Sequence, residues 1–182
     1  MIIDFILKEW SSAFEFFELK KYGLIFRKGG IHEKDFKLKD NYFGIFKTYE
    51  HESKETLKDK YSYLLKGFET KYTGSFDLEY VCKIKESFVI NKISFFDEID
   101  EYHPWDKEYL IDRFNFRKTN DLVAYFLDIE KLKIPKKAEY EIDKAKGCKS
   151  WFDLKDPVNT FATINLNDKM NENKVLNKFS NL

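Results

Sequence analysis

One short segment combines basic residues with glycines in a pattern that could bind an anion. An apolar run ends in Arg27-Lys28, and the chain's only Gly-Gly pair, Gly29-Gly30, follows directly. Backbone N–H groups in a glycine-rich turn after a strand can converge on an anion, and adjacent cations add positive charge. The pattern predicts contact with a phosphate or a nucleic-acid backbone; the alternative is a tight turn that needs glycine for its positive φ. The Walker A spacing is absent, which excludes a nucleoside-triphosphate loop of that type.

A second segment, Glu50-His51-Glu52, follows another apolar run that ends at Thr48. Two flanking carboxylates would favour a protonated imidazole and suit general acid–base chemistry. Glu52 and Lys54 also form an acidic-x-Lys element, in which a metal-dependent nuclease would bind Mg²⁺ and polarise a phosphate. That element recurs about as often as chance allows among 32 acidic residues and 29 lysines. The histidines show no local metal-ligand spacing, so the sequence predicts no metal site.

The three tryptophans lie in short motifs that also contain polar residues. The motifs are Lys8-Glu9-Trp10, His103-Pro104-Trp105 and Lys149-Ser150-Trp151. Trp10 falls on an apolar stripe and is assigned to the core. Trp105 and Trp151 fall in predicted loops, where tryptophan can stack on a nucleobase or form a cage around a modified one. They could equally close the ends of a small sheet.

Charge and composition narrow the class of protein. The 182 residues have a formal net charge of zero, so bulk charge does not indicate a nucleic-acid binder or a membrane-surface protein. Basic residues are nevertheless in excess between positions 20 and 39 and between 131 and 149. These stretches are either solvated surface or the wall of a groove for a phosphate backbone. Two cysteines, Cys82 and Cys148, indicate a reduced cytoplasmic protein, and no apolar run is long enough to span a membrane.

Hydrophobic periodicity predicts the elements that position these residues. Helices are expected at 4–18, from Ser53 to about Lys66, at 93–100 and at 106–115, the last with Asp106 as N-cap. Strands are expected at Tyr22–Arg27, Asn41–Thr48, 76–90 and Leu122–Ile129. In the third strand, which could also be a hairpin turning near Glu86-Ser87, alternate residues from Phe76 to Ile84 share one face. Leu122–Ile129 is expected to be buried on both faces and Pro135 to stop it, with a lysine-rich loop beyond.

Strands and helices do not alternate regularly, so the sequence predicts an α+β fold. We expect a single domain over residues 1–160, with a small mixed sheet or partly open barrel and helices packed on one side. Residues 161–182 are polar and are expected to form a mobile tail. The PUA and EVE nucleic-acid-binding domains are a candidate analogy for this fold.

Four motifs occur in a fixed order: Lys8-Glu9-Trp10, Phe26 to Ile31, Thr48 to Glu52, and Gly147 to Trp151. This ordered set resembles the prokaryotic family of domains of unknown function numbered 1802 (DUF1802), over about residues 7–154. The resemblance implies an association with Mrr-type restriction endonucleases, and hence a role in restriction–modification or DNA handling.

Together these features favour a nucleic-acid-binding module, with DNA preferred over RNA as partner and a restriction endonuclease as a further partner. Its expected contacts are Arg27, Lys28, Gly29, Gly30, His51, Trp105, Arg113, Lys149 and Trp151. The first alternative is a metal-dependent nuclease that uses Mg²⁺ with Glu50, His51, Glu52 and Lys54. The second is a protein–protein interaction scaffold with aromatic residues at its interface. No cofactor is expected for the binding module.

Overall fold

The computed structural model describes residues 1–28, 42–116, 121–147 and 149–181. Its strands are β1 (Ile2–Trp10), β2 (Gly23–Arg27), β3 (Phe43–Thr48), β4 (Ser75–Ile90), β5 (Leu122–Glu139), β6 (Trp151–Asn159) and β7 (Thr163–Asn165). Its helices are α1 (Ser11–Lys20), α2 (Phe95–Glu98), α3 (Lys107–Asn115), α4 (Ile142–Ala145) and α5 (Lys169–Ser180). In this described part of the chain, seven strands form one sheet in the order β2-β5-β4-β3-β1-β6, and β7 pairs with β5. β1 and β3 run parallel and the other paired strands antiparallel, which confirms the predicted α+β class and mixed sheet.

The sheet has an apolar cluster on each face. Residues of β1 divide between them: Phe5 and Leu7 enter one cluster and Ile6 enters the other, as the two-residue repeat of a strand requires. Ile3 also enters the second cluster, because the pairing of β1 with β6 shifts register between Ile3 and Phe5. Buried side chains of α1, α2, α3 and α5 join the first cluster, while α4 contributes Ala145 to the second. Helices therefore cover mainly one face.

The second cluster lies where the sheet begins to close on itself. Tyr140, just beyond β5, forms an isolated antiparallel bridge with Leu154 of β6, although the two strands are far apart in the sheet order. Both side chains are buried in the second cluster. The bridge brings β5, β4, β3, β1 and β6 round this cluster, as in a partly open barrel.

The predicted helix at 4–18 is wrong in its first half. β1 occupies Ile2–Trp10 and passes directly into α1. β1 lies between β3 and β6 and is buried on both faces from Phe5 to Lys8, so its sequence lacks the polar alternation of a half-exposed strand. A run that is apolar on both faces fits a helical stripe by chance, because periodicity does not separate a buried strand from a helix.

The segment after β3 was predicted as one helix from Ser53, but it forms two short 3₁₀ turns, Lys54–Thr56 and Asp59–Leu64. Its backbone bonds instead to the chain before α3: the Lys58 N–H donates to the Pro104 carbonyl at 2.9 Å, and Leu57 pairs with Trp105. The helix predicted at 93–100 is likewise shorter, with α2 followed by a 3₁₀ turn at Asp100–Tyr102. The helix predicted at 106–115 is confirmed as α3, and the Asp106 carboxylate accepts the Glu108 N–H at 2.8 Å.

β4 and β5 are long strands whose pairing shifts register. β4 runs through Glu86-Ser87 without a hairpin. Its pairing jumps from Leu78↔Lys136 to Tyr80↔Lys131, so Leu78 enters the second cluster and Tyr80 the first. The predicted common face from Phe76 to Ile84 is therefore wrong.

The same jump explains why Pro135 does not end β5. Pro135 lies in the part of β5 that the jump leaves without a β4 partner, so its missing N–H costs no bond to β4. Val123 and Tyr125 are half-buried, so the strand is less buried than predicted. The predicted lysine-rich loop contains the end of β5 and α4.

The segment 161–182 was predicted as a polar tail, but it contains β7 and α5. Val175, Leu176 and Phe179 of α5 are buried in the first cluster. The Asp168 N–H donates to the Lys21 carbonyl at 2.7 Å, which ties the start of α5 to the end of α1. The packed structure therefore extends beyond residue 160.

Two further predictions concern single features. Cys82 is buried in the first cluster, where burial raises the pKa of its thiol well above the usual value, as expected for a structural cysteine. None of the helices in the described ranges is long and apolar enough to cross a membrane.

Candidate nucleic-acid interface

A cavity of about 500 Å³ lies beyond the carboxyl ends of the parallel strands β1 and β3. Trp10 and Thr48 pair there at the last positions of the two strands. Crevices outside the carboxyl ends of parallel strands are common ligand sites in open sheets. Five aromatic side chains line the cavity: Trp10, Phe26, Trp105, Tyr109 and Phe116. Its charged lining residues are Lys8, Glu9, Arg27, Glu50, Arg113 and Lys149.

An ion pair joins β1 to the end of β2 at one wall of the cavity. The Arg27 Nη2 donates to Glu9 Oε2 at 2.6 Å and to the Lys8 carbonyl at 2.7 Å. The Arg27 and Glu9 side chains are only 12% and 10% exposed. The other Glu9 oxygen accepts the Trp10 N–H at 2.8 Å. Arg27 was predicted to contact phosphate, but in this structure its guanidinium is held by β1.

The buried Lys8 and the partly exposed Glu50 form a second polar group. Lys8 Nζ donates to the Gly147 carbonyl at 2.6 Å and lies 3.8 Å from Glu50 Oε2. The Tyr72 hydroxyl donates to the same Glu50 oxygen at 2.7 Å, and burial together with this carboxylate raises the pKa of Tyr72. These contacts connect β1 with the segments that follow β3 and α4, so the motif residues at 8, 50 and 147 position one another.

Three aromatic rings form one corner of the cavity. The ring centroids of Trp10 and Trp105 are 5.3 Å apart with an interplanar angle of 69°, and Tyr109 lies 5.5 Å from Trp10. Trp10 Nε1 donates to the Glu50 carbonyl at 2.8 Å, which fixes the indole ring. Trp105 is 4% exposed, so it is largely a core residue with one part that reaches the cavity. Trp10, assigned to the core from sequence, is half-buried and lines the cavity.

Two cationic side chains lie at the mouth of the cavity. Arg113 is in the last turn of α3, and Lys149 precedes β6 and is exposed. Within the described ranges neither side chain forms an ion pair. Both were predicted as nucleic-acid contacts, and the structure brings them together with His51 at one site.

Two other predicted contacts, Lys28 and Trp151, are not among the residues that line this cavity. Lys28 is buried and its ammonium donates to the Phe114 carbonyl; burial lowers the pKa of Lys28. Trp151 stacks on Phe5 with ring centroids 4.7 Å apart and packs against the first apolar cluster. Its position favours the predicted alternative that a tryptophan closes one end of the sheet. Gly29 and Gly30 lie outside the described residues.

Of the four residues proposed for a nuclease, only Glu50 and His51 line the cavity. Glu50 binds Tyr72, whereas Glu52 Oε1 accepts the Ser12 N–H and hydroxyl, both at 2.8 Å, at the start of α1. Burial raises the pKa of Glu52. His51 lines the cavity in a left-handed turn with φ 63°, while Lys54 is exposed and lies outside the lining. The carboxylates expected to flank His51 therefore bind other partners. Among the described residues, no group of three or more His, Cys, Asp or Glu side chains is placed to hold a metal ion.

Sequence reasoning missed part of the site. Lys8 and Glu9 stand in a motif, but the predicted helix at 4–18 gave no reason to place them at a cavity. Tyr109 lies one turn from Arg113 on α3, and this i, i+4 spacing would have put both side chains on one face of the predicted helix. Tyr72 and Phe116 carry no local signal in the sequence.

All four motifs that carry the family resemblance contribute residues to this cavity. The family model described as "Domain of unknown function (DUF1802)" matches residues 6–174. The chain belongs to this family. The match confirms the resemblance and also includes the first half of α5, beyond the range that the motifs cover. Neither the curated proteins nor the solved structures gave a match, so the analogy with PUA and EVE domains stays a prediction.

Proposed function

We propose that this DUF1802 protein is a nucleic-acid-binding module and that the cavity beyond β1 and β3 is its binding site. The observation that carries the proposal is the combination of aromatic walls with two mouth cations, Arg113 and Lys149, that form no ion pair within the described ranges. Aromatic rings stack on nucleobases, and basic side chains bind the phosphates beside them.

The charge of the cavity supports an anionic ligand. Its lining contains four basic residues, Lys8, Arg27, Arg113 and Lys149, against the two acidic residues Glu9 and Glu50. Glu9 pairs with Arg27, and Glu50 lies beside Lys8. Arg113 and Lys149 therefore remain as the cations available to a ligand. A neutral chain can therefore present a local positive surplus at this site.

The choice of DNA and of a restriction endonuclease partner rests on the family resemblance. The association with Mrr-type endonucleases is the basis for proposing DNA rather than RNA. In this proposal the module supplies recognition, and a separate nuclease supplies cleavage.

Salt-dependent binding of oligonucleotides tests the proposal. If Arg113 and Lys149 each engage one phosphate, the log–log slope of affinity against salt should be about −1.4 for single strands and about −1.8 for a duplex. Arg113→Gln and Lys149→Gln should each reduce the magnitude of the slope by about half, that is by about 0.7 for single strands and about 0.9 for a duplex. Lys137→Gln is the matched control, because Lys137 is an exposed lysine on β5 away from the cavity. Binding that is independent of salt, or equally sensitive to Lys137→Gln, would contradict the proposed site.

The same samples test the nuclease alternative. Wild-type protein should leave oligonucleotides intact with Mg²⁺ or Mn²⁺ as it does with a chelator. Cleavage that needs the metal and disappears in Glu50→Gln would favour the nuclease and overturn the module.

A further inference from the structure

We infer that the cavity receives a single nucleobase extruded from the stack, with the phosphates on either side of it held by Arg113 and Lys149. The inference rests on the proposed nucleic-acid-binding function and names the form in which the ligand enters. Four observations on the cavity carry it: its size, the angle between its rings, its polar wall and the position of its cations.

The size of the cavity limits the ligand. A volume of about 500 Å³ lies in the range of pockets that enclose one small molecule, about 300–1,000 Å³. A paired duplex cannot enter such a space, whereas one nucleotide can. A base that is part of a duplex must therefore leave the stack to reach the rings.

The shape of the aromatic corner favours a planar ligand. Trp10 and Trp105 meet at 69°, and Trp105 is 4% exposed, so a flat ring that stacks on the half-buried Trp10 presents its edge to Trp105. Tyr109 lies 5.5 Å from Trp10 and extends the same corner. Stacked and edge-to-face contacts are the two favourable arrangements of aromatic rings.

The polar wall favours a ring with hydrogen-bonding edges. Glu9 and Arg27 line the cavity although both side chains are about nine-tenths buried. A plain hydrocarbon ligand would remove their remaining water without replacing its hydrogen bonds, which is costly for charged groups. Nucleobase edges carry the donors and acceptors that carboxylate and guanidinium groups recognise.

The cations lie where the backbone of an extruded nucleotide would remain. Lys149 is exposed and Arg113 is half-buried, so both can reach phosphates that stay outside while the base is enclosed. Phosphate contacts would position the strand, and the rings would hold the base.

Three duplexes of otherwise identical sequence test the inference: one fully paired, one with a single mismatch and one with abasic sites on both strands at the mismatched position. Extrusion costs less free energy from a mismatch than from a pair. We expect the mismatched duplex to bind wild-type protein at least about tenfold more tightly than the paired duplex. The abasic duplex, which offers no base to the rings, should lose this gain.

Tyr109→Leu should reduce the preference for the mismatch, because it keeps an apolar side chain and removes the ring. Tyr125→Leu is the matched control: Tyr125 is also half-buried against the first cluster but lies outside the cavity. Equal affinity for all three duplexes would overturn the inference while leaving the proposed function standing. An abasic duplex that binds as tightly as the mismatched one would also overturn it, because the protein would then recognise the local flexibility of the duplex and not an extruded base. Absence of binding to any oligonucleotide would remove the proposed function itself.

Discussion

Arg27→Gln should lower the free energy of unfolding by more than it lowers the free energy of binding to an oligonucleotide. The sequence places Arg27 beside a glycine pair and suggests a phosphate contact. In the structure its guanidinium bridges β2 to β1 through Glu9 Oε2 at 2.6 Å and the Lys8 carbonyl at 2.7 Å. Removing the cation would leave the Glu9 carboxylate in a site where it is 10% exposed.

The expected loss follows from the burial of the pair. Removing one partner of a buried ion pair costs about 3–5 kcal/mol, chiefly because the other charge stays buried. Both side chains retain about a tenth of their exposed surface, so we expect the lower end, about 3 kcal/mol. For a chain of this length, 1 kcal/mol shifts the melting temperature by about 2–4 °C, so the midpoint should fall by about 6–12 °C.

Urea denaturation of a double-mutant cycle measures this loss. Glu9→Gln and Arg27→Gln should each be destabilised, while the double variant leaves no charge unpaired. Its loss should therefore be smaller than the sum of the two single losses by about 1–3 kcal/mol. Single losses below about 1 kcal/mol that simply add would refute the structural role. The guanidinium would then be available to a ligand, as the sequence suggested.

Two further changes test other parts of the structure. Burial raises the pKa of Glu52, so the folded protein keeps this proton to a higher pH than the unfolded chain, and stability falls as the pH rises between the two pKa values. Glu52→Gln should therefore be at least as stable as wild type at pH 7, and the difference in stability should shrink towards about pH 4. Glu52→Ala should lose about 1 kcal/mol, because it removes the hydrogen bonds to Ser12. Denaturant midpoints measured at both pH values test this, and a Glu52→Gln variant less stable than wild type at pH 7 would contradict it. Phe179→Ala should cost about 3–5 kcal/mol, because the ring is 2% exposed. Met170→Ala, on the exposed side of α5, should stay within about 0.5 kcal/mol, and equal stabilities of the two variants would show that α5 does not pack on the core.

The sequence predicted strands well where apolar and polar residues alternate, or where a short apolar run is bounded by glycine or charged residues. β2 is bounded by Gly23 and basic residues, and the sequence of β4 largely alternates between apolar and polar residues from Phe76 to Ile84, so both strands were found although the face predicted for β4 was wrong. β1 was missed because it is buried on both faces, which removes the alternation that identifies a strand. α5 was missed because its few buried residues, such as Val175 and Phe179, stand among polar residues. The packing of those residues is decided by β4 and β5, which the local sequence does not show.

The site was predicted only in part, because local sequence does not show which distant residues a side chain contacts. Arg113, Lys149 and His51 were named from residue type and motif, and they do line one cavity. Lys28 was named on the same grounds, but its partner is a backbone carbonyl 86 residues away, which no local pattern reveals. A basic residue beside a glycine pair looks the same in sequence whether it faces solvent or a buried acceptor.

Five of the six charged residues of the cavity divide into two groups with different roles. Arg27, Glu9 and Lys8 are largely buried and are bonded within the protein, so a change at any of them alters the fold and the site together. Arg113 and Lys149 at the mouth form no ion pair within the described ranges, so a change there alters the charge seen by a ligand and leaves the strands joined. Loss of binding in a variant of the buried group therefore does not identify a contact. Loss of binding in a variant of the mouth group, at unchanged stability, does.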